Sequence, residues 1–351
     1  MSELRKDPVL RRWVIIAQER ARRPGTFIEA HMRTRQKDIP PEECPFCHNQ
    51  DPEIFALREG EGAWKVKVVP HGSPALRIYD KFHRHGYGPY DVTNAYGTHE
   101  VVIESPEHIP GMADMGDQQI KDVLFVYVQR LNELRKNYNL RYAVIFKNYG
   151  LAAGSRQIGH ARSQILATSV TPIRIKDKLI GAKRYFDYHD RCLYCDMVRQ
   201  ELEQKERVVV ETEHFVSLMP FAYRFPFELI ILPKEHHSDF TKGLKGKEED
   251  LARLLKDILT RFKIGLDDPA FNLVIQTAPF RRSRKNAKWQ TLDEDYHWHI
   301  EIMPRLARAA GFEKGSGFYI CAIPPEAAAE YLRDVQIAGD EPQTTPVTSH
   351  A

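Results

Sequence analysis

The sequence predicts an α+β fold built from two tandem copies of one unit, each an antiparallel sheet with one main helix and a Cys-x-x-Cys knuckle. Three observations carry that prediction. The pairs Cys44/Cys47 and Cys192/Cys195 open two stretches whose later elements follow in the same order. "HEVVIESPEH" (99–108) and "FELIILPKEH" (227–236) share an apolar run, with Glu100 over Glu228 and His108 over His236. "GHARSQIL" (159–166) and "YHWHIEI" (296–302) each place a histidine at the head of a short alternating run. The offsets differ, 192 − 44 = 148, 236 − 108 = 128 and 297 − 160 = 137, as loops diverge faster than the elements they join. A repeat this long is a duplicated domain, not a solenoid.

Taken in order, each copy begins with its knuckle and continues into a buried strand that proline stops before the histidine. An amphipathic helix comes next, "IKDVLFVYVQRLNELRKNY" or "EEDLARLLKDILTRFKIGL", with apolar residues at three- and four-residue spacing. A second apolar strand follows, "YAVIFKNYG" or "FNLVIQTAP", then a loop, then the histidine run. There is no glycine-rich strand-to-helix turn, and there are too few helices to cover both faces of a parallel sheet. The expected units are residues 1–175 and 176–336, joined by the segment 168–190. Residues 337–351 are polar and Pro/Thr-rich, the composition of a disordered tail. Cys321 of "GFYICAI" is expected in a buried strand, and Trp298 and "RYFDYHD" in the core or an interface.

Composition narrows the function. The 351 residues exceed one ordinary core, and 42% hydrophobic with 28% charged residues describes a globular chain. The net charge of 51 − 48 = +3 is too small to make nucleic acid or a membrane surface the main partner. No apolar run reaches the roughly 18–20 residues of a membrane span, and the charged start "MSELRKDPVLRRW" has no signal-peptide core. A cytoplasmic chain is the expectation, with its five cysteines reduced.

Under reducing conditions two Cys-x-x-Cys pairs point to metal. Each copy offers two thiols and two histidines in register: Cys44, Cys47, His108 and His160, then Cys192, Cys195, His236 and His297. His99 and His237 have no counterpart and are set aside. Four protein ligands leave no open coordination position, so each zinc is expected to be structural.

"ELRKDPVLRRWVIIAQERARRP", "CPFC", "FKNYGLAAG", "HARSQI", "RFPFELIILPKEH" and "YHWHIEIMPRLARAAGFEKGSGFYICAIPPEAAAEYLR" together resemble the galactose-1-phosphate uridylyltransferase family of the histidine-triad superfamily. The resemblance runs from about residue 3 to about residue 333. It implies two histidine-triad-like domains and transfer of a nucleoside monophosphate between a nucleotide sugar and a sugar 1-phosphate or phosphate, in carbohydrate (galactose) metabolism. It also implies zinc and a possible homodimer. In the family the second histidine of the first copy's His-x-His-Ser-Gln is the nucleophile, and an imidazole suits attack on phosphorus. Carried over, His160 matches the zinc histidine, Ser163 and Gln164 the Ser-Gln, and Asn148 the nucleotide-contacting asparagine. Arg20 and Arg23 match the basic phosphate entry, and Ser155 a phosphate contact in a loop one residue longer.

The nucleophile position holds Arg162. Arginine stays protonated and cannot attack phosphorus, but it can clamp a phosphate. Three readings follow. The chemistry moved to His299, the second copy's counterpart, oriented by Glu301. Or transfer or hydrolysis is direct, with Arg162, Gln164, Arg20 and Arg23 stabilising the phosphoryl group. Or the chain binds nucleotide sugars without turnover.

Overall fold

A computed structural model describes residues 2–20, 39–155, 159–281 and 289–337. Arg23, most of the basic run 280–289 and the tail beyond residue 337 lie outside them.

In the first half, the strands are β1 (Glu3–Lys6), β2 (Trp13–Ile16), β3 (Phe55–Arg58), β4 (Trp64–Pro70), β5 (Arg84–Tyr87), β6 (Tyr90–Thr93), β7 (Gly97–Ile103), β8 (Tyr142–Tyr149) and β9 (Arg162–Thr168). Its main helix is α1 (Asp117–Lys136). Two helices follow, α2 (Ile173–His189) and α3 (Leu193–Gln204). The second half holds β10 (Val208–Glu211), β11 (Phe215–Leu218), β12 (Leu229–Pro233), α4 (Phe240–Gly243), α5 (Glu248–Gly265), β13 (Phe271–Gln276), α6 (Leu292–Asp295), β14 (His299–Pro304), α7 (Gly311–Ser316), β15 (Tyr319–Cys321) and α8 (Pro325–Arg333).

Ten strands form one antiparallel sheet in the order β10-β11-β12-β14-β13-β8-β9-β7-β4-β3. That order is a palindrome in the duplicated elements: β8 answers β13, β9 answers β14, β7 answers β12. The halves meet where β8 pairs with β13, with Asn148 opposite Asn272 and Ile145 opposite Ile275. The duplication read from the sequence is therefore closed through a shared sheet.

The two faces are covered differently. α1 and α5 pack side by side on one face. Their apolar stripes (Val123, Leu131, Leu255, Phe262) bury Ile145, Ile165, Ile275 and Ile300 in the main core. On the other face α2 and α3 cover the second half and the start of β8, where Ile175, Leu179 and Leu193 meet Val216, Ile230, Leu232 and Tyr142. Beyond the start of β8 the first half of that face is open among the described residues, and Val144, Phe146, Asn148, Arg162, Gln164 and Leu166 are all partly exposed.

α2 lies in the segment read as a connector. Its signal was present, since Ile175, Leu179 and Ala182 recur at helical spacing and are buried. The β1–β2 hairpin pairs with β15 from the far end of the chain, and its turn presses Val9 onto α2 at Gly181. A Cβ at Gly181 would overlap the Val9 carbonyl. Gly181→Ala is therefore expected to lower stability by about 1–3 kcal/mol, the usual cost of overpacking, measured as a lower urea midpoint at unchanged slope. An unchanged midpoint would refute that contact. Cys321 is fully buried in β15 and Trp298 in the core, as expected.

Candidate functional site

Both four-residue sets assemble. Cys44 and Cys47 sit before β3, His108 after β7 and His160 at the entry to β9. Cys192 and Cys195 sit at the start of α3, His236 after β12 and His297 at the entry to β14. In each set the ligand atoms all lie within 4.8 Å of one another. Cys47 Sγ is 3.3 Å from His108 Nδ1 and 3.4 Å from His160 Nδ1, and Cys44 Sγ is 3.5 Å from His160 Nδ1. In the second set Cys195 Sγ is 3.3 Å from His236 Nδ1 and 3.6 Å from His297 Nδ1. Tetrahedral bonds of about 2.3 Å to sulfur and about 2.0–2.1 Å to nitrogen would hold S and N roughly 3.5 Å apart. The spacing suits a shared ion.

The rings are held from behind. His160 Nε2 donates to the Ser105 carbonyl (2.9 Å), His297 Nε2 to Pro233 (3.1 Å) and His236 Nε2 to Asp293 (2.8 Å). Each bond leaves Nδ1 with its lone pair facing the thiols. Ser105 and Pro233 are themselves counterparts, since 233 − 105 = 128, the same offset as His236 and His108. Burial, the largest influence on each, holds His160 and His297 below the ordinary histidine pKa, in the neutral form a ligand requires. These two groups could hold metal ions.

Beside the first cluster lies a polar patch on the open sheet face. Arg162 donates to Ser155 Oγ (2.7 Å) and to the His160 carbonyl (3.1 Å). Its guanidinium lies 5.2 Å from the ring centre of Phe46, inside the first knuckle. The Cys/His cluster thus braces the arginine through both a backbone oxygen and a ring. Strand alternation places Gln164 on the same face. The Ala75 N–H donates to His99 Nδ1 (3.2 Å), so the neutral ring carries its proton on Nε2 and donates to Gln164 Oε1 (2.8 Å). The Gln164 amide nitrogen remains as a donor. His71 stacks on His99 with centroids 4.0 Å apart. Asn148 Oδ1 accepts from Asn272 Nδ2 (2.7 Å), which also donates to the Ala153 carbonyl (2.9 Å).

Three expected residues stand apart. Ser163 faces the opposite side of β9, only 1% exposed, its hydroxyl 2.7 Å from Tyr127 on α1. Neighbouring residues in a strand point to opposite faces, so Ser163 cannot share a substrate with Arg162 and Gln164. Arg20 is exposed on the short turn after β2 and has no hydrogen bond to the pocket residues among the described residues.

His299 is the third. It is 1% exposed. Its Nδ1–H donates to the His297 carbonyl (2.9 Å), and its Nε2 accepts from Lys178 Nζ (2.8 Å). Tyr194 stacks against it at 5.1 Å. Burial first, and the Lys178 charge second, push its pKa down to about 3. Glu301 does not orient the ring; it pairs with Lys178 (2.7 Å) and Arg224 (3.5 Å). A ring with both nitrogens engaged and almost no surface open to solvent is not placed to attack phosphorus.

Sequence reading missed a buried polar group behind Arg162. Lys147 Nζ bonds Glu104 Oε2 (2.5 Å) and the Arg162 carbonyl (3.1 Å), and Tyr127 Oη bonds Glu104 Oε1 (3.0 Å). The available signal was a lysine in the middle of the apolar run "YAVIFKNYG".

Comparison with known proteins adds the following. The model of the galactose-1-phosphate uridyl transferase N-terminal domain matches residues 78–172, and that of its C-terminal domain residues 179–333. The ADP-glucose phosphorylase of Arabidopsis thaliana is 35% identical over 342 residues, covering 95% of this chain and 93% of the relative. The galactose-1-phosphate uridylyltransferase of Thermotoga maritima is 28% identical, covering 96% of this chain and 99% of the relative. Among solved structures, an Arabidopsis thaliana ADP-glucose phosphorylase with bound ADP-glucose superposes with a TM-score of 0.78 at 33% identity, covering 96% of this chain and 99% of that one. A uridylyltransferase structure superposes at 0.71 with 26% identity, covering 95% of this chain and 97% of that one.

Proposed function

The chain belongs to the galactose-1-phosphate uridylyltransferase family and is an enzyme of nucleotidyl transfer or phosphorolysis; from that premise we propose that it transfers a nucleoside monophosphate from a nucleotide sugar by direct displacement, with no covalent histidine intermediate. One observation carries this reading. Arg162, which the resemblance aligns with the family's nucleophile, donates to Ser155 on the open sheet face, and its counterpart in the second copy, His299, is buried with Lys178 bonded to its Nε2. Arg162, Gln164, Ser155 and Asn148 hold the phosphates, and each cluster holds a structural zinc, the ion that suits two thiolates and two imidazoles.

In such a step an oxygen of inorganic phosphate attacks the α-phosphorus of the nucleotide sugar. The bond to the sugar-phosphate oxygen breaks, releasing a sugar 1-phosphate and a nucleoside diphosphate. The two guanidinium edges of Arg162 neutralise charge on the transferring group, and positioning with charge neutralisation is most of what phosphoryl transfer needs. ADP-glucose with phosphate is the first pair to assay, given the more similar named relative; UDP-glucose with a hexose 1-phosphate is the second.

The test is mass spectrometry of the intact protein during turnover. Substrate should be consumed with no nucleotidyl adduct, and an α-phosphorus-chiral substrate should give inverted product. Arg162→Ala is expected to slow turnover about 100- to 1000-fold, the usual effect of deleting one charge-stabilising donor. Arg162→His should allow an adduct on residue 162. An adduct on any histidine of the unaltered chain, or turnover indifferent to Arg162→Ala, would sink direct displacement. Nucleotide-sugar binding with no turnover of either substrate pair would favour a binding role instead.

A further inference from the structure

Asn148 offers the pocket an amide, and an amide can turn either end outward, an oxygen that accepts or a nitrogen that donates. Its neighbours decide which. Phe146 lies opposite Gln164 across β8 and β9, and that register carried on by two residues sets Asn148 level with Arg162. On its other side Asn148 lies opposite Asn272 of β13. A side chain of the second copy therefore stands at the edge of the first copy's pocket.

What surrounds Asn272 settles the direction of both amides. Arg305, just past β14, has only donors to offer, and its Nε–H bonds Asn272 Oδ1. The Ala153 carbonyl can only accept, and Asn272 Nδ2 donates to it (2.9 Å). Those two partners permit one orientation of the Asn272 amide, oxygen toward the arginine and nitrogen toward the first half. The second hydrogen on that nitrogen goes to Asn148 Oδ1 (2.7 Å). The Asn148 oxygen is thereby engaged, and its Nδ2, which makes no hydrogen bond among the described residues, is left to donate. Arg305 is itself fixed, with its guanidinium 5.2 Å from the Phe225 ring centre and its backbone N–H on the Ala270 carbonyl (2.7 Å). Ala153 belongs to the turn that leads to Ser155, the partner of Arg162, so Asn272 ties down that turn as well.

We propose that Asn272 is a positioning residue of the phosphate pocket, locking the Asn148 amide so that its nitrogen, and not its oxygen, meets the ligand. The assignment rests on the nucleotide-sugar reading given above. With the Arg162 guanidinium and the Gln164 amide nitrogen, Asn148 then completes a set of donors suited to the acceptor-only oxygens of an ionised phosphate. An amide turned the other way would set its oxygen against those oxygens, a repulsion that the Arg305–Asn272 pair removes before the ligand arrives. The pairing of β8 with β13, which joins the two copies, thus also delivers the group that orients a first-copy residue.

The experiment is calorimetric titration of the full chain with ADP-glucose, a measurement that needs no turnover. Asn272→Asp keeps the shape and still accepts from Arg305 but has no N–H to give. Asn148 is then expected to turn over and donate to the aspartate, and binding should weaken at least about tenfold, the effect of losing a hydrogen bond to a charged group. In an Asn148→Ala background the same change should cost no more than about threefold further, because a residue that acts through another loses its effect when that other is removed. Asn272→Leu, which leaves the Asn148 amide free to turn either way, should weaken binding less than Asn272→Asp. Losses that multiply in the double variant overturn the assignment. So does unchanged binding by Asn272→Asp, or Asn272→Leu as damaging as Asn272→Asp. An unaltered chain that binds neither ADP-glucose nor UDP-glucose overturns the nucleotide-sugar reading and this assignment together, so the two failures are told apart.

Discussion

Cys44→Ser should leave the chain with one metal ion fewer and a transition at least about 10 °C lower; Cys192→Ser should do the same through the other cluster. The size follows from linkage. A structural zinc contributes roughly 10–16 kcal/mol of apparent binding free energy in small zinc peptides, while a domain's whole stability is about 5–15 kcal/mol. Losing one of four ligands removes only part of that, but several kcal/mol already moves a unit of this size by ten degrees or more. Each cluster ties a chain-distant knuckle to the sheet: Cys44 and His160 are 116 residues apart, and Cys195 and His297 are 102. The two variants should separate in function. The first cluster holds the His160 carbonyl and the Phe46 ring against Arg162, so Cys44→Ser should also weaken nucleotide-sugar binding. Cys192 lies in the other half, beside α6, where its thiol donates to the Asp295 carbonyl (3.4 Å). Elemental analysis with calorimetry tests both halves of the expectation. A purified chain with no bound metal, or a transition unmoved by Cys44→Ser and by chelation alike, would show that the clusters hold no structural ion.

The clusters were legible because the chain carries its own alignment. Two diverged copies that keep a ligand at each matching place leave little room for coincidence, and the structure brings all eight side chains together in two fours. The α1 and α5 boundaries fell within three residues of the periodic runs for the same physical reason, an apolar stripe against a sheet. What failed was orientation. The motif reading grouped Arg162, Ser163 and Gln164, yet strand alternation alone assigns Ser163 to the other face. The burial of His299 was hidden for a different reason. Its environment is set by Lys178, 121 residues away, and by Tyr194, and no local pattern announces such partners. The asymmetry between halves was likewise invisible, since it depends on α2, α3 and the hairpin all covering one end of a shared face.

Glu104→Gln is expected to cost about 3–5 kcal/mol, and Lys147→Met about the same, because each leaves the other charge buried without its partner. The pair is almost fully enclosed, with side-chain exposures of 2% and 0%. Burial pulls the Lys147 ammonium below its ordinary pKa, and Glu104 is the group that opposes this. The double variant Glu104→Leu/Lys147→Met should be far milder than the sum of the singles, since apolar replacement of a buried ion pair is often neutral or better. Urea denaturation of the four chains gives the coupling directly. Additive losses would mean that the pair is not an interacting unit. If instead the double variant recovers stability but still binds nucleotide sugar poorly, the pair's role is positional. Lys147 Nζ holds the Arg162 carbonyl, and Tyr127, bonded to both Glu104 and Ser163, holds the next residue. Those bonds pin two consecutive residues of β9 from behind, and a methionine or leucine could fill the space without gripping the strand. Stability and binding would then part company, as they must if an arginine that clamps phosphate depends on a backbone fixed from the far side of the sheet.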